Sequence, residues 1–113
     1  MRVLVCGGRD FDNWLTLTDA LSRLPERPEI IIHGGAKGAD TLADEWARGH
    51  QIPTKCYPAA WQLYGRRAGP IRNQQMLTDG KPDLVIAFPG GRGTADMVRR
   101  AKLAGVSVVD IEK

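Results

Sequence analysis

Three glycine-rich segments follow short apolar runs, and their residue types are suited to holding an anion. Glycine has no Cβ, so a loop built from it can bring its backbone N–H groups close to a ligand. Each segment lies near the start of a helix-like stretch, whose first turn adds unpaired N–H donors and a partial positive charge. The sequence therefore predicts one shared phosphate-binding pocket, formed by segments 6–10, 33–40 and 88–94.

The third segment combines the most features of a phosphate site. Gly90 and Gly91 follow an apolar run. Gly93 and Thr94 then open the next helix-like stretch, so backbone donors, the helix dipole and a hydroxyl group coincide. The alternative is a tight turn in which Thr94 only caps the helix. We favour the phosphate interpretation because the three features occur together.

The second segment is similar in kind, and its candidate ligand contacts are Gly34, Gly35, Lys37 and Gly38. It lacks the G-x-G-x-x-G spacing of a dinucleotide fold and the G-x-x-x-x-G-K-[ST] spacing of a P-loop, which argues against a P-loop kinase or GTPase. Asp40 has two interpretations that stay open here. It accepts hydrogen bonds from ribose hydroxyls, or it charges the first turn of the helix.

In the first segment, the candidate contacts Gly7 and Gly8 precede a pair of charged residues. Arg9 and Asp10 either contact the ligand or form a structural salt bridge, and the sequence leaves both interpretations open. The pair lies at the end of the first strand-like run, where the other glycine segments are expected to meet it.

Three further candidates lie between residues 58 and 73. Arg72 offers a guanidinium group that can donate two hydrogen bonds to a phosphate. Asn73 could read a base edge or a hydroxyl. Trp61 either stacks on a base or anchors its own segment to the core. Segment 58–68 is long and irregular in pattern, so we expect it to form a flap over the pocket.

The sequence gives no support for a metal or a cofactor. Cys6 and Cys56 lack C-x-x-C spacing and end apolar runs, which is typical of small buried side chains. His33 also ends an apolar run and is predicted to be a packed, hydrogen-bonded imidazole. We therefore assign no metal ligands, no cofactor and no catalytic residues.

Strand-like and helix-like runs alternate along the chain, which indicates βαβ units. The predicted strands are 2–6, 29–33, 54–57, 83–88 and 107–111, and the predicted helices are about 12–24, 38–49, 69–78 and 93–104. We expect a single compact α/β domain over residues 1–113, Rossmann-like and doubly wound, with about five parallel strands in the order 3-2-1-4-5. The ligand would lie where the strand order reverses, beyond the carboxyl ends of the strands.

Composition limits the partners. With 113 residues, 42% hydrophobic and 26% charged, the chain fits one ordinary globular domain. It has no apolar stretch of about 20 residues and no signal-peptide pattern, so we expect a cytoplasmic protein without a membrane partner.

The charge distribution favours a small anionic ligand. The net charge is +3, and cationic residues concentrate in or beside the strand-to-helix loops, at Arg9, Lys37, Arg66, Arg67, Arg72 and Arg92. A focused rim of this kind suits a small anion better than a nucleic acid duplex.

The chain resembles the YspA/YpsA-related branch of the SLOG superfamily. The resemblance rests on Gly-Gly-Arg-Asp-Phe at 7–11, His-Gly-Gly-Ala-x-Gly-Ala-Asp at 33–40, Ala-Gly-Pro-x-Arg-Asn at 68–73 and Phe-Pro-Gly-Gly-x-Gly-Thr-Ala-Asp at 88–96. The superfamily also includes cytokinin-activating phosphoribohydrolases and the DNA-processing protein A group. The resemblance implies a nucleotide-type ligand, and related hydrolases dimerise, so a homodimer is expected.

The hydrolases of this superfamily carry Pro-Gly-Gly-x-Gly-Thr-x-x-Glu, whose glutamate supports cleavage between base and ribose 5′-phosphate. This chain has Met97 at that position, and a thioether cannot stabilise an oxocarbenium-like state. Asp96 lies about 100° around the helix and is a poor substitute. Asp10 and Asp40 are the alternative carboxylates for this role.

The leading hypothesis is therefore binding, for sensing or sequestration, of a nucleotide or nucleotide-derived ligand such as an ADP-ribose-like molecule. The first alternative is a nucleoside 5′-monophosphate phosphoribohydrolase. The second, single-stranded DNA binding, is less favoured because the chain has few aromatic residues and a single basic rim.

Overall fold

Apolar strands form one all-parallel sheet in the computed structural model, which describes residues 1–111. The strands are β1 (Arg2–Cys6), β2 (Ile30–His33), β3 (Thr54–Cys56), β4 (Leu84–Ala87) and β5 (Ser107–Asp110). Their order is β3-β2-β1-β4-β5, which confirms the predicted order. Val3 of the central strand pairs with Ile31 on one side and with Leu84 on the other. The sheet order reverses between β1 and β4, as expected.

Apart from the short third helix, which the sequence does not predict, the connecting helices begin and end close to the predicted residues. They are α1 (Trp14–Ser22), α2 (Ala39–Gly49), α3 (Trp61–Tyr64), α4 (Ala68–Gly80) and α5 (Arg92–Leu103). The first helix begins later than predicted because the Asn13 side chain accepts a hydrogen bond from the Thr16 N–H, at 3.0 Å, and so caps the helix. Within residues 1–111, none of the helices combines the length and the apolar character needed to cross a bilayer.

The two faces of the sheet bury separate apolar clusters. Val3, Val5 and Ile31 pack against α1 and α2 on one face. Leu4 and its neighbours on the other face pack against α4 and α5, and Met97 of α5 is fully buried there, with 0% of its surface exposed. Successive strand residues point to opposite faces, so this division follows from the period of two along each strand.

Segment 58–68 is more regular than predicted. Instead of an irregular loop, it contains α3 and a single 3-10 turn at Gly65–Arg67 that leads into α4. The Leu63 and Tyr64 N–H groups donate to the Ala60 carbonyl, which closes the short helix. We refer to residues 58–67 as the flap.

Two side chains are more exposed than their sequence pattern predicts. Trp14 shares the helical spacing of the buried Leu17 and Leu21, yet it is 41% exposed, because it is the first residue of α1 and lies beyond the packed turns. Cys56 is exposed, whereas Cys6 is buried. Cys56 ends β3, which is an edge strand with a neighbour on only one side.

Candidate functional site

The carboxyl ends of β1, β2 and β4 open onto one cavity of about 800 Å³. The sequence-predicted residues that line this cavity are Gly7, Gly8, Arg9, Gly34, Gly35, Asp40, Trp61, Arg72, Asn73, Gly91, Gly93 and Thr94. The predicted residues that lie outside its lining are Asp10, Lys37, Gly38 and Gly90. The three glycine segments therefore meet, as expected for strands of this order.

The loops after β1, β2 and β4 approach one another closely at Gly38 and Gly90, where a Cβ would not fit. Gly38 has φ +82°, and a Cβ there would overlap the Gly8 carbonyl oxygen and lie 2.7 Å from that of Arg9. A Cβ on Gly90 would lie 2.7 Å from the Gly8 nitrogen. The Gly8 N–H donates to the Pro89 carbonyl at 2.9 Å, and the Ala39 N–H donates to the Gly8 carbonyl at 3.2 Å. These close contacts join the loops after β1, β2 and β4.

In the second loop, three backbone amides donate to side chains of the same segment. The Gly34 and Ala36 N–H groups both donate to Oδ2 of Asp40, at 3.1 and 3.2 Å. The Gly35 N–H donates to Nδ1 of His33 at 3.0 Å. The imidazole is buried, as predicted, and its Nε2 lies 2.9 Å from Oδ1 of Asp44. Since Nδ1 accepts, Nε2 carries the proton and donates to the carboxylate.

Asp40 therefore acts as a cap for the loop that precedes its helix. Its carboxyl group is buried, and burial raises its pKa, although the two amide donors and nearby His33 and Arg72 act in the opposite direction. Of the two interpretations that the sequence left open, the geometry favours the structural one. The amides of Gly34 and Ala36 are thereby engaged within the protein.

The first turn of α5 is different, because no side chain of the described residues caps it. The first backbone bond into this turn runs from the Ala95 N–H to the Gly91 carbonyl, at 3.0 Å. The N–H groups of Arg92, Gly93 and Thr94 precede that bond, and within residues 1–111 they have no protein acceptor. The turn faces the cavity and carries the positive end of a 12-residue helix. The third segment thus offers three consecutive free donors among residues that line the cavity.

A hydrogen-bonded chain ties α4 to both of these loops. Nη1 of Arg72 donates to the Gly34 carbonyl at 2.7 Å, and its Nε donates to Oδ1 of Asn73 at 3.1 Å. Nδ2 of Asn73 donates to the Gly93 carbonyl at 3.1 Å and to Asp96 at 3.0 Å. Both polar atoms of the Asn73 side chain have protein partners, so this arrangement favours a positioning role over the base contact expected from the sequence.

Asp96 is the other carboxylate in the cavity lining, and the sequence patterns do not place it there. Burial opposes its ionisation, but hydrogen bonds from Asn73, Arg100 and Arg99 outweigh burial and hold the pKa of Asp96 below its usual value. The distances to Arg99 and Arg100 are 2.6 and 2.9 Å. The site residue that helical spacing could have identified is Met76, which lies three residues after Asn73 and also lines the cavity.

We expect Asp96→Asn to destabilise the protein by about 1–3 kcal/mol at pH 7, because a hydrogen-bonded charge is lost. The pKa of Asp96 is lowered in the folded state, so its stabilisation is present above about pH 4 and disappears as the pH falls through the folded value. Urea unfolding at pH 7 and pH 3 should show the difference between variant and wild type shrinking in acid. Asp19→Asn, which breaks an exposed pair with Arg23, is the control and should have little effect. An equal loss from Asp96→Asn at both pH values would contradict this account.

The flap covers one side of the cavity through Trp61. The Arg9 guanidinium lies 5.7 Å from the centre of the indole ring, and a Cβ added to Gly69, at the start of α4, would lie 3.4 Å from that ring. Trp61 remains 48% exposed, so the ring is anchored but still accessible to a ligand. The position of Trp61 is therefore compatible both with stacking on a base and with anchoring the flap.

Comparisons with known proteins agree with this arrangement. A family model described as YAcAr, the YspA, cpYpsA-related SLOG family, matches residues 1–64. The chain is also similar to the Gene 61 protein of Mycobacterium phage D29, at 38% identity over 119 aligned residues, which cover 96% of this chain and 94% of the phage protein. The family match includes the loops after β1 and β2, and the phage protein extends the similarity through nearly all of the chain.

Proposed function

The chain belongs to the YspA, cpYpsA-related SLOG family, and from that premise we propose that it binds a nucleotide or nucleotide-derived ligand in the cavity at the carboxyl ends of β1, β2 and β4. The ligand phosphate lies at the N-terminus of α5, and the sugar and base extend toward Trp61. Binding serves to sense or sequester the ligand.

One observation carries this proposal: Arg92, Gly93 and Thr94 line the cavity, and their amides have no acceptor among residues 1–111. An anion at a helix N-terminus gains both these hydrogen bonds and the helix dipole. The second loop offers no such donors at Gly34 and Gly35, because His33 and Asp40 already accept from them. The third segment is therefore the phosphate site, and the other two shape the cavity.

A pair of substitutions at Gly93 tests the role of the amide. Gly93→Pro removes one donor from the first helical turn, where proline is tolerated, and we expect it to weaken binding of nucleoside monophosphates at least tenfold. Gly93→Ala keeps the N–H, and its Cβ meets open space, so its affinity should stay within about twofold of wild type. Isothermal titration calorimetry with AMP, GMP, CMP and UMP gives the dissociation constants.

Equal affinities for the alanine and proline variants would contradict the proposal, provided that both unfold at the same temperature as wild type. No binding of any monophosphate by wild type would overturn it outright.

Phosphoribohydrolase activity is the second candidate, because Asp96 lines the cavity one residue before the glutamate position of the related hydrolases. The arrangement favours binding over hydrolysis. Asp96 is engaged by Asn73 and two arginines, and Asp40 is engaged by its loop. Incubation with nucleoside monophosphates and chromatography for free base decides the matter, and release that Asp96→Asn abolishes would favour the hydrolase.

The homodimer and the cytoplasmic location expected from the sequence remain proposals. Size-exclusion chromatography with light scattering tests the first, with and without AMP. Single-stranded DNA binding is tested by titration with a labelled oligonucleotide at two salt concentrations, since a phosphate-driven interaction weakens steeply with salt.

A further inference from the structure

Building on the proposed nucleotide binding, we infer that the ligand carries two linked phosphates, as in a nucleoside diphosphate or a pyrophosphate-linked nucleotide. One phosphate lies at the N-terminus of α5, and the second lies nearer the flap, between Arg9 and Arg66. The charges that line the cavity carry this inference.

Four arginines and two aspartates line the cavity, namely Arg9, Arg66, Arg72, Arg92, Asp40 and Asp96. The two carboxylates do not neutralise all four cations. Asp96 pairs with Arg99 and Arg100 of its own helix, which lie outside the lining. Asp40 accepts from two backbone amides, and the arginine whose charge acts on it is Arg72.

Three of the four arginines that line the cavity therefore have no carboxylate partner among residues 1–111. Within residues 1–111, no carboxylate oxygen lies within 4.0 Å of the guanidinium nitrogens of Arg9, Arg66 or Arg92. A single phosphate monoester carries a charge of about −1.5 to −2 at pH 7, which is less than three guanidinium groups can balance. A diphosphate brings a charge of about −3 and matches them.

The positions of the three arginines also favour two anionic groups. Arg92 is the first residue of α5, beside the free amides. Arg9 lies over the Trp61 ring, and Arg66 follows in the 3-10 turn of the same flap. The cavity of about 800 Å³ lies in the upper part of the range for ligand pockets, so it has room for two linked phosphates.

The test compares inorganic phosphate with pyrophosphate, and AMP with ADP, by calorimetry at constant ionic strength. For wild type we expect the diphosphate of each pair to bind at least tenfold more tightly. Arg66→Gln should reduce this preference to about threefold or less. Arg67→Gln is the matched control, because Arg67 lies in the same turn and carries the same charge but is not part of the cavity lining. Both side chains are exposed, and thermal unfolding checks that both variants fold.

The outcomes separate this inference from the proposed function. If AMP binds and ADP binds no more tightly, the second phosphate position is wrong while nucleotide binding stands. If Arg67→Gln reduces the preference as much as Arg66→Gln does, the preference reflects the general positive field and the inference is overturned. If none of the four probes binds, the proposed function fails, and this inference fails with it.

Discussion

Replacing Met97 with glutamate is expected to cost at least about 4 kcal/mol of folding free energy and to create no hydrolase. Met97 is 0% exposed and packs among apolar side chains between α5 and the sheet. An ionised carboxylate there would be buried without a partner, which is among the most destabilising changes a core residue can undergo. Urea unfolding at pH 7 measures the effect.

Met97→Leu is the control for this position, because it conserves volume and polarity and should cost less than about 1.5 kcal/mol. A folded Met97→Glu protein that released free base from AMP would show that the side chain at 97 reaches the ligand. That result would contradict the position of Met97 in the core and would revive the hydrolase interpretation.

Gly38→Ala is expected to destabilise the protein by about 3 kcal/mol or more, through backbone strain and steric overlap together. Gly38 has φ +82°, which L-residues rarely adopt, and its Cβ would overlap the Gly8 carbonyl. The loops after β1 and β2 would have to separate to make room. Chemical unfolding gives the stability, and calorimetry with AMP gives the accompanying loss of affinity.

Gly49→Ala provides the comparison for Gly38. Gly49 is the last residue of α2, and a Cβ there meets nothing within 4 Å, so alanine should be neutral or slightly stabilising. If both alanine variants were equally stable, the close approach of the two loops at Gly38 would not be a requirement of the fold.

The sheet could be predicted from the sequence because its determinants are local. Runs such as Val3–Cys6 and Leu84–Ala87 are continuously apolar, as strands covered on both faces must be. Helices between such strands require parallel, right-handed crossovers, which leave few possible orders. The flap was harder to predict, because a four-residue helix such as Trp61–Tyr64 is too short to show a helical period.

For the cavity, the sequence predicts only that the three glycine-rich loops meet beyond the carboxyl ends of the strands. Which amides stay free depends on side chains that fold back locally, and glycine content does not encode this. The turn at Gly35, with φ +72°, brings its N–H to His33, and Asp40 reaches back to Gly34. Asn73 shows the same limitation, because the two acceptors of its Nδ2 lie 20 and 23 residues further along the chain.

The bonds that His33 and Asp40 make to their own loop have a consequence for how the ligand is received. Because these hydrogen bonds already order the loop before a ligand binds, the loop loses little conformational entropy on association. More of the free energy of the ligand contacts then appears as affinity. Binding then requires no slow rearrangement of this loop. The observed association rate constant should therefore rise in proportion to ligand concentration without reaching a plateau.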